Sequence, residues 1–375
     1  MTSTKLSILI PSFKRHGRLY RNILYFQRLS ELNAFPELLP HIEIVIADGS
    51  PDNYEEPATQ PLFNLLGTID SPVNIKYRHF PGIHFFDRLQ WLSSNASSGV
   101  VTLLGDEDLL ALDELDHIIR KLNVEPSIGS YTGRYIDIHG FAKQHLKLSL
   151  DEGWIDGYSI QAETAKERLK IYRTLMGLGL SPVMYSILRR DTLILIADVL
   201  ASKKDTFTYV AGESVINHIQ VSAGNFHSTR KPFILRDRTF IDRATNEEDW
   251  SDADRNILSE KILQEVLVKQ LKVFHSNADA NSFFKKNVSC VSPTEDGLLS
   301  PLQEYREMIN WSQPKHSTYL RSQIHSDTYS ACIHAWKKSL KVAYPSTDLR
   351  ILGLRKNIII LVLNKLKGIL SRVLA

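Results

Sequence analysis

Asp106 and Asp108 stand two apart, immediately after the apolar run Val100-Val101-Thr102-Leu103-Leu104-Gly105. In extended backbone alternate side chains share a face, so this spacing points both carboxylates one way and Glu107 the other. Paired carboxylate oxygens suit Mg2+ or Mn2+, which complete their shell with water and substrate phosphates. A shifted register would bring Glu107 in for either aspartate. In a plain solvated turn the same residues would only cap the helix that follows.

Other chemistry-bearing residues also follow apolar runs. Leu6-Ser7-Ile8-Leu9-Ile10 is followed by Pro11-Ser12-Phe13-Lys14-Arg15, a turn offering backbone amides and, in Arg15, a planar donor fork for phosphate. Ile42-Glu43-Ile44-Val45-Ile46 is followed by Ala47-Asp48-Gly49-Ser50. Asp48 can accept hydrogen bonds from a base or ribose, or simply shape the turn before Gly49. Glu213, in Ala211-Gly212-Glu213-Ser214, opens a helical stretch. There it can act as a general base toward a hydroxyl, or merely complement the helix dipole. Asp191, after Leu188-Arg189-Arg190, competes for the base role. Arg236 and Arg238 can close on a diphosphate or line a solvated strand edge. His218, His227 and His316 lack the paired spacing of a metal motif, and Trp154 and Tyr158 can stack on a sugar or fill a core.

Short β-branched runs separated by helix-length segments read as parallel strands of an α/β sheet. Residues 17–33 carry Leu19, Ile23, Leu24, Phe26 and Leu29 at helical spacing, which completes a β-α-β unit. Prolines punctuate 51–72, where one short helix is expected at 63–66. A strand is expected at 75–80, a helix at 85–94, and a helix at 113–122 with Asp113 as N-cap. Antiparallel strands and loops are expected over 130–157, a helix at 162–175, a strand at 182–188, and helices at 193–201 and 212–223. In open α/β sheets ligands bind beyond the carboxyl ends of the strands, where strand order switches. The polar clusters after the first three runs all fall at that edge.

Taken in order, Ser7-Ile8-Leu9-Ile10-Pro11-Ser12-Phe13-Lys14-Arg15, Ile44-Val45-Ile46-Ala47-Asp48-Gly49-Ser50-Pro51-Asp52 and Leu103-Leu104-Gly105-Asp106-Glu107-Asp108 resemble the motifs of family 2 glycosyltransferases. Ala47 stands where that pattern has the first of two acids, and Gly105 where many members carry an acid. The resemblance covers roughly residues 4–240. It implies a GT-A fold: a Rossmann-like, mostly parallel sheet flanked by helices. It also implies transfer of a sugar from a nucleotide-sugar donor to a hydroxyl of a glycan or lipid-linked glycan, with inversion and a divalent cation, Mn2+ or Mg2+. On this resemblance Pro11, Ser12, Phe13, Arg15, Asp48, Ser50 and Arg88 bind the donor, Asp106 and Asp108 hold the metal, and Glu213, or else Asp191, is the base.

The organisation expected is a catalytic domain over 1–245 and a helical C-terminal region over 246–375. The chain has 375 residues, 43% of them hydrophobic, enough for a normal packed core. A net charge of +3 lacks the dense basic face of a nucleic-acid protein. Two cysteines, Cys290 and Cys332, make neither a disulfide framework nor a zinc site, which fits a cytoplasmic protein. The first apolar run is too short for a signal peptide. Residues 357–374 place Ile359, Val362, Leu363, Leu366, Ile369 and Leu370 at helical spacing among Lys365, Lys367 and Arg372. That pattern suits a basic amphipathic helix lying peripherally on an anionic membrane through 350–375, or one packed on the catalytic domain or in a homodimer. A nucleotidyltransferase would want a more glycine-rich first turn than Pro11–Gly17. A non-catalytic scaffold on a decayed transferase fold is the other alternative.

Overall fold

The computed structural model describes residues 4–67, 71–142, 145–150, 159–165, 167–169, 171–172, 185–205 and 209–237, together with 332, 334 and 335. Its centre is a nine-stranded sheet in the order β3-β2-β1-β4-β8-β6-β9-β5, with β7 paired to β6. The strands are β1 Leu6–Ser12, β2 Ile42–Asp48, β3 Asn74–His79, β4 Val100–Leu103, β5 Asp108–Leu110, β6 Ile128–Ala142, β7 His145–Leu150, β8 Ile187–Arg189 and β9 Asn225–Asp237. β1, β2, β3, β4, β6 and β9 run one way, and β5, β7 and β8 run the other. The sheet is therefore mostly parallel, as expected of this α/β class. The flanking helices are α1 His16–Glu31, α2 Thr59–Leu66, α3 Phe85–Asn95, α4 Leu115–Val124, α5 Arg190–Ala201 and α6 Tyr209–Ala223.

β1 and β2 are apolar and almost wholly buried because helices cover both faces of the sheet. Their near-continuous Ile/Leu/Val runs leave polar groups only at the ends. Strand order switches between β1 and β4: β2 and β3 lie on one side of β1, and β4 with its followers on the other. β6 and β9 form the long second half of the sheet and pair in parallel. Where β6 begins and α6 ends, Gly129 and Gly224 meet backbone to backbone. A Cβ on Gly129 would lie 2.7 Å from the Gly224 Cα.

Several expected boundaries move. The helix in the proline-punctuated stretch already begins at Thr59. The helix after the acidic cluster begins at Leu115 with Glu114 at its N-cap, and no side chain caps it. Asp113 does not cap because the extended chain runs on through Ala111, whose N–H donates to the Phe233 carbonyl (2.8 Å). The Asp113 carboxylate instead accepts from the buried Cys332 thiol at 3.8 Å. α6 begins at Tyr209, three residues earlier than its apolar period suggests. The boundary at 245/246, the helical region 246–375, the amphipathic stretch 350–375, and Trp154, Tyr158, Arg238, Cys290 and His316 lie outside the described residues. No helix among the described residues is long and apolar enough to cross a membrane.

Candidate active site

The carboxyl ends of β1 and β4 meet at the strand-order switch. Ser12 Oγ, at the end of β1, donates to Asp106 Oδ2 (3.1 Å) beyond β4, bridging that gap. The β1–α1 turn is strained: Lys14 has φ 55°, a left-handed conformation that a lysine adopts only when held there. Two groups hold it. Its N–H donates to Ser50 Oγ (2.9 Å), and its carbonyl accepts from the Tyr54 hydroxyl (2.8 Å). Ser50 is fully buried, so it braces the turn.

Asp48 is buried without exposed surface. Oδ1 accepts from the Ser50 N–H (2.9 Å) and Oγ (2.6 Å), and Oδ2 meets His16 Nε2 (2.8 Å) and the Tyr77 hydroxyl (2.8 Å). These contacts match the lone-pair capacity of a carboxylate. Burial alone would raise its pKa. The hydrogen bonds from His16, Ser50 and Tyr77 outweigh it and hold the carboxyl down at about 2. The role in which Asp48 stands is that of an ionised pin joining the ends of β1, β2 and β3. His16 extends the pin through Nδ1 to Thr59 Oγ1 (2.8 Å) at the start of α2.

Arg88, on α3, is 5% exposed and reaches back to the β1 and β2 ends. Its Nη1 donates to the Ser12 carbonyl and lies 3.4 Å from that of Ala47. The guanidinium sits 5.9 Å from the Phe13 ring centre and 5.8 Å from that of Phe85, a cation–π arrangement. Gly49 leaves room for this guanidinium: a Cβ there would come within 2.6 Å of the Arg88 Cζ, and Arg88 would have to shift. Pro11, Ser12, Phe13, Asp48, Ser50 and Arg88 thus form one connected rim at the expected edge.

The acidic cluster is arranged differently from its sequence spacing. Asp106 and Glu107 occupy a turn closed by the Asp108 N–H donating to the Gly105 carbonyl (3.0 Å). Extended alternation therefore does not apply, and Asp106 and Asp108 are not placed on one strand face. A polar stripe on α1 holds the turn. Arg21 Nη2 donates to the Glu107 carbonyl (2.6 Å), and Asn22 Nδ2 donates to the Asp106 carbonyl (2.9 Å). Arg15 Nη1 bridges Asp106 Oδ1 (2.9 Å) and Glu107 Oε2 (3.2 Å), and Arg18 also donates to Glu107. Asp108 lies opposite Arg236 in the β5–β9 pairing, with Nε 3.9 Å from Oδ1. Burial pushes the Asp106 carboxyl upward; Arg15 opposes the shift and Glu107 adds to it. His16, Arg18, Arg21 and Asn22 were not legible as site residues. Their signal is helical spacing: 18, 21, 22 and 25 share one face of the helix directly after β1.

Glu213 is on α6, partly accessible as a residue. Burial lifts its carboxyl to about 7 against the opposing pull of Arg236. It shares this neighbourhood with Asp108. The buried Tyr185 hydroxyl is raised first by burial and then by Asp108, with Arg236 opposing and Glu213 and Glu107 adding. Arg236 also lies over the Tyr185 ring at 5.6 Å. Gly212 leaves room here for the Phe86 ring: a Cβ there would sit 2.7 Å from the Phe86 Cζ.

Asp191 is not brought to this edge. β8 runs antiparallel to β4 and pairs Arg189 with Val100, which puts exposed Asp191 at the opposite end of the sheet. His227 stacks on Tyr131 at 6.0 Å near the starts of β9 and β6, also at the far edge. His218 packs on Tyr172.

Among the described residues no three of His, Cys, Asp and Glu come together as metal ligands. The position between the Asp106 and Glu107 carboxylates is held by a guanidinium.

No family model matches the chain, and no curated protein matches it in sequence. Among solved structures, residues 1–349 of S. aureus TarS align over 93% of this chain and 86% of that one, at 11% identity and a TM-score of 0.42. The same protein in complex with UDP-GlcNAc aligns over 82% and 79%, at 11% identity and a TM-score of 0.41. The mannosyltransferase PcManGT from Pyrobaculum calidifontis, in complex with GDP-Man and Mn2+, aligns over 96% and 81%, at 10% identity and a TM-score of 0.36. At these values none of the likenesses bears on what this chain does.

Proposed function

We propose that the protein is a glycosyltransferase that moves a sugar from a nucleoside-diphosphate donor to a hydroxyl of a glycan or lipid-linked glycan, with inversion. The observation carrying this reading is the arginine-held acidic turn at the strand-order switch, with Arg236 facing its Asp108 and acting electrostatically on Glu213. A partly accessible carboxyl poised near neutrality suits removal of a proton from a hydroxyl. Guanidinium groups beside it suit the charge that develops on a leaving diphosphate.

In the reaction, the acceptor oxygen forms its bond to the anomeric carbon as the bond from that carbon to the diphosphate oxygen breaks. The acceptor proton passes to Glu213. The electron pair leaves on the diphosphate, near Arg15 and Arg236. The rim of Phe13, Arg88 and the Lys14 turn receives the nucleoside, with Asp48 keeping that rim in shape. A cytoplasmic setting with a lipid-linked acceptor at the membrane surface belongs to the same proposal. The test is a panel of nucleoside-diphosphate sugars incubated with the full chain, with release of the nucleoside diphosphate followed by mass spectrometry. Release from one donor class supports the reading, and release from none across the panel refutes it.

A further inference from the structure

We infer that a nucleoside diphosphate binds this protein without a divalent cation, the Arg15 guanidinium being the resident positive charge at the acidic turn. The inference rests on the donor reading above and deepens it. Arg15 Nη1 lies 2.9 Å from Asp106 Oδ1 and 3.2 Å from Glu107 Oε2, between two of the three carboxylates of the cluster. Arg18 engages Glu107 as well, and Arg236 stands 3.9 Å from Asp108. Each carboxylate of the cluster therefore already faces a guanidinium.

Loading a cation onto these oxygens would require expelling Arg15 from both of them. It would leave a dication beside the displaced guanidinium in a largely buried site, where like charges repel strongly. The turn has little room to adapt. Its carbonyls are pinned by Arg21 and Asn22, and Asp106 Oδ2 is pinned by Ser12. A diphosphate faces no such conflict. A guanidinium carries five N–H donors in one plane, so it can keep a carboxylate on one edge while meeting phosphate oxygens with another.

The experiment is calorimetric titration of the full chain with UDP, GDP, ADP and CDP, in EDTA and in Mn2+, beside Mn2+ alone followed by electron paramagnetic resonance. For the diphosphate that binds, the dissociation constant in EDTA is expected within about threefold of that in Mn2+. Mn2+ alone is expected to show no tight site. Arg15→Ala is expected to weaken binding about tenfold or more in EDTA, the scale of a lost charge-assisted contact. Mn2+ should then restore most of that loss, because the carboxylates are released from Arg15. A wild-type loss of more than about tenfold in EDTA overturns the inference and leaves the donor reading standing; this arm needs no variant. Unchanged binding by Arg15→Ala in EDTA also overturns it. Absence of binding to every diphosphate, with or without Mn2+, removes the donor reading and the inference together.

Discussion

Two carboxyls at this site are displaced in opposite directions, and each makes a prediction. Asp48 is held at about 2 against an ordinary 3.8, so between these values the unfolded chain carries the proton and the folded protein does not. Stability from this group therefore rises with pH through that window and is lost as pH falls through it. Its size is about 2 kcal/mol. In urea titrations from pH 5 to pH 2, the stability gap between wild type and Asp48→Asn should shrink by roughly that amount. A gap that stays constant would mean the carboxylate is not the pin described. Glu213 has the reverse sign: its folded value of about 7 exceeds 4.5, so its contribution is present below 4.5 and lost as pH rises toward 7. The proposed base role needs the ionised form, so kcat/KM should fall as pH drops through about 7. Glu213→Gln should reduce turnover about a hundredfold while donor affinity holds; a steady-state pH series on both proteins checks this. Arg15 and Asp48 were legible because they follow apolar runs, and Glu213 because its stretch reads as a helix start, although α6 begins four residues earlier at Tyr209. Arg18 and Arg21 were not, since charged residues on a helix ordinarily mark its solvated face, and only the fold shows that face turned to the acidic turn.

At the scale of elements, the Phe86 ring of α3 packs on the Gly212 backbone of α6, one residue from Glu213, the proposed base. Alanine at an exposed helix position would gain roughly 0.5–1 kcal/mol over glycine. Here its Cβ would fall 2.7 Å from the Phe86 ring, and overpacking costs about 1–3 kcal/mol. Gly212→Ala should therefore be net destabilising and should lower kcat more than donor binding, by shifting Glu213. The double variant with Phe86→Leu should recover both stability and kcat, read by thermal melts and initial rates. If Gly212→Ala is as active as wild type, the packing is looser than described. The parallel strands and their order-switch edge were readable, because runs buried on both faces have an unmistakable pattern. The direction of β8 was not: an isolated apolar run carries no sign, and that sign decided that Asp191 lies at the far end. The shape of the acidic turn was equally hidden, since alternation holds only where the backbone stays extended.

For the molecule as a whole, the expected membrane contact concerns 350–375. The full chain should float with anionic vesicles at low salt. Replacing Lys365, Lys367 and Arg372 by Glu should abolish flotation while donor turnover is retained. Failure of the unaltered chain to float would assign that stretch to packing instead. The Gly129–Gly224 contact has a consequence at the same scale. With no side chain between them, the two backbones lie in direct contact, and α6 and β9 are the two arms that leave that contact. Glu213 rides on one arm and Arg236 on the other. A side chain at either glycine would push that junction off β6 and displace the origins of both arms at once. On the roles proposed for Glu213 and Arg236, a single alanine at position 129 or 224 should therefore disturb the acceptor-side and diphosphate-side groups together.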